Sequence, residues 1–204
     1  MYQVFAQGIL KTNSVVLVQN NKCVVVDIPY GAPKVNKFVQ SNNLQVVAVL
    51  LTHGHFDHCG GVRRFLEKCQ SNAPVFVHKN DVPLCESAAS NRWHLPADDC
   101  FPTNTLVEGK LQIDDFCFEV LETPAHTDGS VCFVWENLIL SGDTLFKQSV
   151  GRTDFPESVP HKMTQSLQKL CALQGDFVVI GGHGETTTLN YEKEHNPYLY
   201  DLIH

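Results

Sequence analysis

Residues 53–58 read His-Gly-His-Phe-Asp-His, so three imidazoles and one carboxylate occur within six positions. These nitrogen and oxygen donors are the usual ligands of a borderline divalent cation such as zinc. In an extended loop, His53 and His55 point the same way, so one metal ion can bind both nitrogens. Asp57 and His58 come one turn later, at the start of a helix, and can face a second ion. The segment predicts a metal site.

Three later junctions between a strand and a loop carry a further candidate ligand, namely His126, Asp143 and His183. Each follows an apolar run and has glycine, alanine or proline beside it. Taken alone, residues 53–58 could be a polar loop with exposed histidines. Four junctions with the same layout, contributing five histidines and two aspartates, instead predict one binuclear site.

The segments between these residues predict the elements that hold them. β-branched or apolar runs predict strands at residues 2–8, 14–19, 22–27, 46–51, 75–78, 111–113, 116–121, 131–135, 138–140 and 177–180. Helices are predicted at residues 33–41, 62–69, 80–89 and 159–171, with an irregular stretch at 91–102 and a short tail after the last strand. Two sheets packed back to back, with helices outside, would bury this many strands, so we expect an α/β sandwich.

The composition bounds the class of protein. The chain has 204 residues, of which 43% are hydrophobic and 18% charged, and this predicts a single domain over residues 1–204. No apolar run approaches the roughly 20 residues of a membrane span, and no signal peptide is visible, so we expect no membrane partner and a cytoplasmic location. The eight cysteines form no CxxC pair and are expected to be reduced thiols. A net charge of −7 argues against a nucleic-acid partner.

The whole pattern resembles the metallo-β-lactamase superfamily, and within it the glyoxalase II-like (hydroxyacylglutathione hydrolase-like) branch. The motifs that carry the resemblance are Thr52–His58, then Thr123-Pro124-Ala125-His126, Ser141-Gly142-Asp143-Thr144, His183, Gly151-Arg152-Thr153-Asp154-Phe155 and Asn196-Pro197-Tyr198. The resemblance implies an αββα sandwich of two mixed β-sheets flanked by helices. It also implies a short form, because the larger members carry a helical glutathione-binding domain after the residue that corresponds to His183.

Residue by residue, the resemblance implies two divalent metal ions, zinc first, with iron or manganese as alternatives. His53, His55 and His126 would bind the first ion, and Asp57, His58 and His183 the second, with Asp143 bridging both. A water between the two ions would lose its proton near neutral pH and attack a carbonyl carbon. Asp57 would be both ligand and catalytic residue, because it could orient that water.

The function implied is hydrolysis of a thioester such as S-lactoylglutathione, since a thiolate leaves without a strong general acid. The substrate would be a small glutathione conjugate, and the oligomeric state is not predicted. The main alternative is a mononuclear iron persulfide dioxygenase acting on glutathione persulfide, which shares the motif at residues 151–155. His55 argues against a flavodiiron protein, and the acidic net charge argues against a nuclease. The missing export signal argues against a true β-lactamase. The seven candidate ligands argue against a binding module without catalytic activity.

Several other residues could have either of two roles. Arg152 and Lys147 could bind an anionic substrate group, although Arg152 could equally form a salt bridge with Asp154 or Glu157. Trp93 and His94 could form a wall of the substrate cleft or pack at the surface. Asp27 could orient a ligand histidine or cap a turn. Cys59 is expected to fill space, and His78, His161, His195 and His204 are expected to be structural or exposed.

Overall fold

The computed structural model describes residues 1–86 and 90–203 of the chain. Its strands are β1 (Tyr2–Gln7), β2 (Thr12–Gln19), β3 (Lys22–Val26), β4 (Gln45–Leu50), β5 (Val75–His78), β6 (Asn104–Leu106), β7 (Gly109–Ile113), β8 (Phe116–Glu122), β9 (Val131–Trp135), β10 (Leu138–Gly142), β11 (Leu145–Phe146), β12 (Ser149–Val150), β13 (Val178–Gly181) and β14 (Thr187–Thr188). Its α-helices are α1 (Pro33–Ser41), α2 (Phe56–Cys59), α3 (Val62–Cys69), α4 (Val82–Glu86), α5 (Met163–Cys171), α6 (Leu189–His195) and α7 (Pro197–Ile203).

The first sheet has the strand order β1-β2-β3-β4-β5-β6. β1, β2 and β3 pair antiparallel, whereas β3, β4, β5 and β6 pair parallel, so the sheet is mixed. β2 and β3 form a hairpin, since Gln19 pairs with Lys22 around the Asn20-Asn21 turn. The parallel pairs place helical crossovers beside this sheet, because parallel neighbours cannot be joined by a tight turn.

The second sheet has the order β14-β13-β10-β9-β8-β7, and a separate hairpin joins β11 to β12. β10 and β13 pair parallel, while the other neighbours in the sheet pair antiparallel. β8 and β10 are both antiparallel to β9, so β8, β10 and β13 run in the same direction. Their carboxyl ends therefore meet at one edge of the sheet.

Apolar side chains fill three layers. Residues from both sheets, such as Leu50 and Phe133, form the layer between the sheets. The opposite face of the first sheet packs on α1 and α3 through residues such as Val49 and Phe65, and the opposite face of the second sheet packs on α5 and the C-terminal helices. Strand β4 contributes to two of these layers, which explains its apolar sequence without alternation. The predicted αββα sandwich of two mixed sheets is confirmed.

Two sequence predictions need correction. The segment after β13 is not a tail, because residues 187–203 contain β14, α6 and α7. The buried residues of this segment include Glu192 in α6 and Asn196 between the two helices, beside Leu189 and Leu199, so polar residues interrupt the apolar pattern that would have predicted a helix. The predicted helix at 80–89 starts as a 3-10 turn and continues as α4, and its last three positions, 87–89, lie outside the described residues, as does His204.

No helix in the described part of the chain is long and apolar enough to cross a membrane.

Candidate metal centre

Four loops that leave the carboxyl ends of strands meet at one edge of the sandwich. The segment after β4, a short loop that runs into α2, carries residues 53–58, and the loops after β8, β10 and β13 carry His126, Asp143 and His183. The shared direction of β8, β10 and β13 brings the last three loops together, and β4 supplies the fourth from the opposing sheet. The structure therefore gathers the seven residues that the sequence singles out.

Three imidazoles form the first donor set. Nδ1 of His55 lies 3.1 Å from Nε2 of His53 and 2.8 Å from Nε2 of His126. All three side chains are buried. Nitrogens that share a tetrahedral zinc ion at about 2.05 Å are expected about 3.3 Å apart, so this spacing is close to what one ion requires.

A carboxylate and two imidazoles form the second donor set. Oδ2 of Asp57 lies 3.2 Å from Nε2 of His183 and 3.6 Å from Nε2 of His58, and the two imidazole nitrogens are 3.3 Å apart. Thr12 donates a hydrogen bond of 3.3 Å to the same carboxylate oxygen. The three donor atoms can hold one metal ion.

Asp143 lies between the two sets. Its Oδ2 is 3.4 Å from Nε2 of His126 in the first set and 3.7 Å from Nε2 of His183 in the second. Its Oδ1 is 3.4 Å from Nε2 of His58, is buried, and has no hydrogen-bond partner among the described residues. A buried carboxylate oxygen normally has a partner, so this position fits a cation between the sets.

Gly182 leaves the room that this arrangement needs. A Cβ atom at this position would lie 2.2 Å from Oδ1 of Asp143 and 2.6 Å from Cε1 of His58. Both distances are far below van der Waals contact, so only glycine allows the backbone after β13 to pass this close to the donors.

Each of the five histidines has its outward ring nitrogen next to an oxygen atom, which fixes the orientation of the ring. The oxygen partners are Thr52 Oγ1 for His53, Glu157 Oε1 for His55, Asp27 Oδ2 for His58, Arg152 O for His126 and Leu10 O for His183, at 2.7–3.1 Å. An oxygen acceptor on one ring nitrogen holds the proton there and leaves the other nitrogen free to bind a metal.

Two buried carboxylates hold the loops that carry the donors. Asp27 accepts hydrogen bonds from the backbone N–H of Thr52 (2.9 Å), from its hydroxyl (2.7 Å) and from His58. Asp81 accepts from the backbone N–H groups of Gly54 and Gly129, both at 2.8 Å, and so ties the loop after β4 to the loop after β8. Asp27 thus has the orienting role, and the sequence did not indicate Asp81.

The charges of the donors shift their pKa values. Burial lowers the pKa of His58, but the carboxylates of Asp57, Asp27 and Asp143 outweigh it and raise this pKa to about 10, so a cation bound here would have to displace the second proton of the ring. Burial raises the pKa of Asp57, but the charge of His58 and the hydrogen bond with His183 hold it well below its usual range. Burial and the neighbouring imidazoles lower the pKa of His53, so this ring is neutral, as a metal ligand must be.

A cleft of about 360 Å³ opens over the donors. Phe56, Trp93 and Phe155 form an aromatic wall, with ring centroids 6.1 Å apart for Phe56 and Trp93 and 6.2 Å apart for Trp93 and Phe155. Phe155 also contacts two imidazoles of the first donor set, those of His55 and His126. Trp93 leaves 52% of its surface exposed, so its face is available at the mouth.

The two cationic side chains that were predicted to bind substrate, Arg152 and Lys147, lie in different places. Arg152 lines the cleft, where its guanidinium donates two hydrogen bonds of 2.6 Å to Asp154 and lies over the ring of Phe155. Its salt bridge is therefore with Asp154 and not with Glu157. Lys147 pairs with the exposed Glu185 and is not among the described residues that line the cleft.

The structure also places the other residues that were singled out from the sequence. Trp93 lines the cleft, but His94 is not among its described lining residues. Cys59 is buried and its thiol donates to the carbonyl of Gly54 at 3.5 Å, in keeping with a packing role. His78 is buried near Glu122, and His195 stacks on Tyr191. The described cysteines, all eight, are free thiols.

Comparison with known proteins gives a consistent set of relatives. The family model described as the metallo-beta-lactamase superfamily matches residues 8–183. Hydroxyacylglutathione hydrolase GloC from Haemophilus influenzae is 33% identical to this chain, and the match covers 86% of each sequence.

Two solved structures share the fold over nearly their whole length. The B3 metallo-beta-lactamase BLEG-1 superposes with a TM-score of 0.89 at 31% identity, covering 98% of this chain and 99% of that one. The protein TTHA1623, crystallised in a di-iron-bound form, superposes with a TM-score of 0.87 at 35% identity, covering 97% and 100%. GloC is named as a hydroxyacylglutathione hydrolase and BLEG-1 as a β-lactamase, whereas TTHA1623 is described by its two bound irons.

Proposed function

This chain belongs to the metallo-beta-lactamase superfamily, and from that premise we propose that it is a binuclear metal-dependent hydrolase that cleaves thioesters. Its substrate in this proposal is a small-molecule hydroxyacyl thioester of glutathione, such as S-lactoylglutathione. Membership in the superfamily and the GloC relative support metal-dependent hydrolysis in general, and the thioester is the further step.

The position of Asp143 between two complete donor sets carries the proposal. In this assignment His53, His55 and His126 would bind the first metal ion, Asp57, His58 and His183 would bind the second, and Asp143 would offer one carboxylate oxygen to each. The distances of 3.4 Å from Oδ2 to His126 and from Oδ1 to His58 support this division of the two oxygens. We take zinc as the first candidate for both ions, with iron as an alternative because TTHA1623 holds two irons.

A pair of divalent cations in these sets would polarise a carbonyl group and generate a nucleophile from water near neutral pH. The chain's own residues then orient the reactants. Asp57 lines the cleft and has a second acceptor oxygen that can hold the attacking water, while Thr12 fixes the carboxylate through a hydrogen bond to Oδ2. Phe56, Trp93 and Phe155 exclude bulk water and contact the apolar part of the substrate.

The residues that line the cleft favour a thioester over an amide. Its described titratable lining residues are imidazoles and carboxylates of the two donor sets together with Arg92 and Arg152. Because guanidinium groups do not give up a proton near neutral pH, none of these side chains is a free general acid. A thiolate leaves without protonation, whereas an amide nitrogen does not.

Arg152 supports a substrate with an anionic group. Its guanidinium lies at the mouth of the cleft and its partner Asp154 is exposed, so a substrate carboxylate can replace or share this ion pair. We place the glutathionyl end of the substrate here, and the acyl carbon over Asp143. Lys147, which pairs with Glu185 and is not among the described residues that line the cleft, has no substrate contact in this proposal.

Metal analysis of the purified chain together with a substrate panel tests the proposal. We expect about two equivalents of metal and turnover of S-lactoylglutathione that far exceeds turnover of a cephalosporin. One equivalent of iron with oxygen uptake on glutathione persulfide would instead identify a persulfide dioxygenase. Faster hydrolysis of the cephalosporin, the reaction class named for BLEG-1, would replace the thioester with a β-lactam.

A further inference from the structure

Glu157 contacts a donor of the first set from outside the cleft. Its Oε1 lies 2.8 Å from Nε2 of His55, and only 13% of the Glu157 side chain is exposed. The Arg92 guanidinium donates hydrogen bonds to both carboxyl oxygens of Glu157, so the residue is held as a carboxylate that only accepts.

This contact determines which nitrogen of His55 faces the metal centre. A carboxylate can only accept hydrogen bonds, so Nε2 of His55 must carry the proton that it donates. In a neutral imidazole the other nitrogen then has a free lone pair. That nitrogen is Nδ1, which lies 2.8 Å from Nε2 of His126 and 3.1 Å from Nε2 of His53.

The loop that carries Glu157 is anchored to a second donor. Its first part supplies the carbonyl of Arg152, which accepts a hydrogen bond of 2.7 Å from Nδ1 of His126. Its last part returns through Ser158, whose hydroxyl donates to the carbonyl of His126 at 2.7 Å. Both ends of the loop are thus bonded to His126, and the Glu157 carboxylate between them reaches His55. One loop orients two of the three imidazoles.

Arg92 holds the Glu157 carboxylate from the other side. Its guanidinium forms a fork on Glu157, with Nη1 3.1 Å from Oε1 and Nη2 bonded to Oε2. The Arg92 guanidinium also lies 5.0 Å from the centre of the Phe155 ring. Such bidentate pairs fix the carboxylate in a plane, which a single hydrogen bond does not. The wall of the cleft and the metal centre are thereby linked through Glu157.

We propose that Glu157, held by Arg92, is a positioning residue that keeps the ring of His55 turned with Nδ1 towards the first metal ion. This inference rests on the proposed function only in its assignment of His53, His55 and His126 to that ion, and not on the substrate. The carboxylate contacts neither substrate nor metal in this role. It acts through His55.

Resistance of the zinc-loaded chain to a chelator tests this role without any substrate. In Glu157→Ala we expect one of the two zinc equivalents to leave at roughly 10–100-fold lower chelator concentration, because the His55 ring is free to turn. Glu157→Gln should recover most of the resistance, since its amide oxygen still accepts the Nε2 proton. The Co²⁺-loaded Ala variant should show an altered d–d absorption spectrum, whereas the Gln variant should keep that of the unmodified chain.

Asp154→Ala is the matched control, because Asp154 is a carboxylate of the same loop that pairs with Arg152 at the surface. It should leave zinc retention and the Co²⁺ spectrum unchanged. Arg92→Ala should weaken zinc retention by a smaller factor, and it provides a folded comparison if the Glu157→Ala chain does not fold. Unchanged zinc retention in Glu157→Ala, or a Gln variant as defective as the Ala variant, would overturn the inference.

The two proposals fail in different ways. If the unmodified chain binds no metal at all, the proposed function is wrong and the role of Glu157 falls with it. If the chain binds two zinc ions and turns over no thioester, the substrate assignment is wrong and the zinc-retention result still decides the role of Glu157.

Discussion

Asp27 and His58 form a fully buried pair in which Oδ2 of the carboxylate lies 2.8 Å from Nδ1 of the imidazole. The same carboxylate also accepts hydrogen bonds from the backbone N–H and the hydroxyl of Thr52, the residue just before His53. One acidic side chain at the end of β3 therefore sets the start of the loop and the direction of its last donor. The folding of this loop and the placement of a metal ligand depend on the same group.

We expect Asp27→Asn to lower the free energy of unfolding by about 2–4 kcal/mol. The carboxylate accepts from three donors, and an amide must turn its NH₂ group towards at least one of them. Urea unfolding measures this loss, and metal analysis of the same sample should show a weakened second site. Asp114→Asn, at an exposed ion pair with Lys22, should change the free energy by about 0.5 kcal/mol or less. Equal effects of the two substitutions would contradict the role given to Asp27.

We expect Asp143→Ala to lose both metal ions, because this carboxylate is the one donor assigned to each. Elemental analysis after gel filtration measures the occupancy. Asp115→Ala, which removes a carboxylate outside the donor sets, should keep the metal content of the unmodified chain. An Asp143→Ala chain with full occupancy would show that a different group bridges the ions.

Trp93→Ala should raise the KM of the best substrate by roughly 10-fold, since loss of an aromatic contact costs about 1 kcal/mol or more. Neither kcat nor the metal content should change much, because Trp93 is not in a donor set. Phe101→Ala is the matched control, since Phe101 is 63% exposed but is not among the described residues lining the cleft. Steady-state kinetics distinguishes the two variants, and an unchanged KM in Trp93→Ala would remove this residue from the substrate wall.

Because of the Asp98 carboxylate, we expect the free energy of unfolding to decrease in acid. Burial raises its pKa, but the hydrogen bonds with Arg64 and Arg63, at 2.5 and 2.8 Å, outweigh it, so this pKa lies below its usual value. A depressed pKa means that the stabilisation is present above the unfolded-state pKa of about 3.9 and is lost as the pH falls through the folded value.

The difference in unfolding free energy between the unmodified chain and Asp98→Asn should therefore be about 1 kcal/mol at pH 7, because both arginines are exposed. It should shrink below about pH 4. Urea midpoints measured between pH 7 and pH 3 provide the check. A difference that grows on acidification has the wrong sign and would exclude this pair as the cause.

Local patterns in the sequence were sufficient to predict most of the helices and strands. Helix α1 has the predicted bounds, Pro33–Ser41, because proline begins it and its apolar positions repeat at helical spacing. Strand β4, which precedes the candidate donors at residues 53–58, was equally clear from its apolar run. The C-terminal helices were missed because Glu192 and Asn196 are buried and satisfied by hydrogen bonds with each other, with Gln148 and with Thr187. A pattern of apolar residues does not reveal a buried polar side chain, and one partner of Glu192, Gln148, lies 44 residues away in the sequence.

The sequence by itself determined the seven candidate donors, because ligand chemistry depends on residue type and each donor follows a recognisable strand. It also determined the fold, through the length and order of the apolar runs. Only the tertiary structure decided which groups orient those donors. Glu157 is 102 residues from His55, and Asp81 is 48 residues from Gly129, so no local spacing links them. These contacts arise when separate loops meet at one edge of the sandwich, where a carboxylate pairs with whichever donor the packed backbone brings within reach.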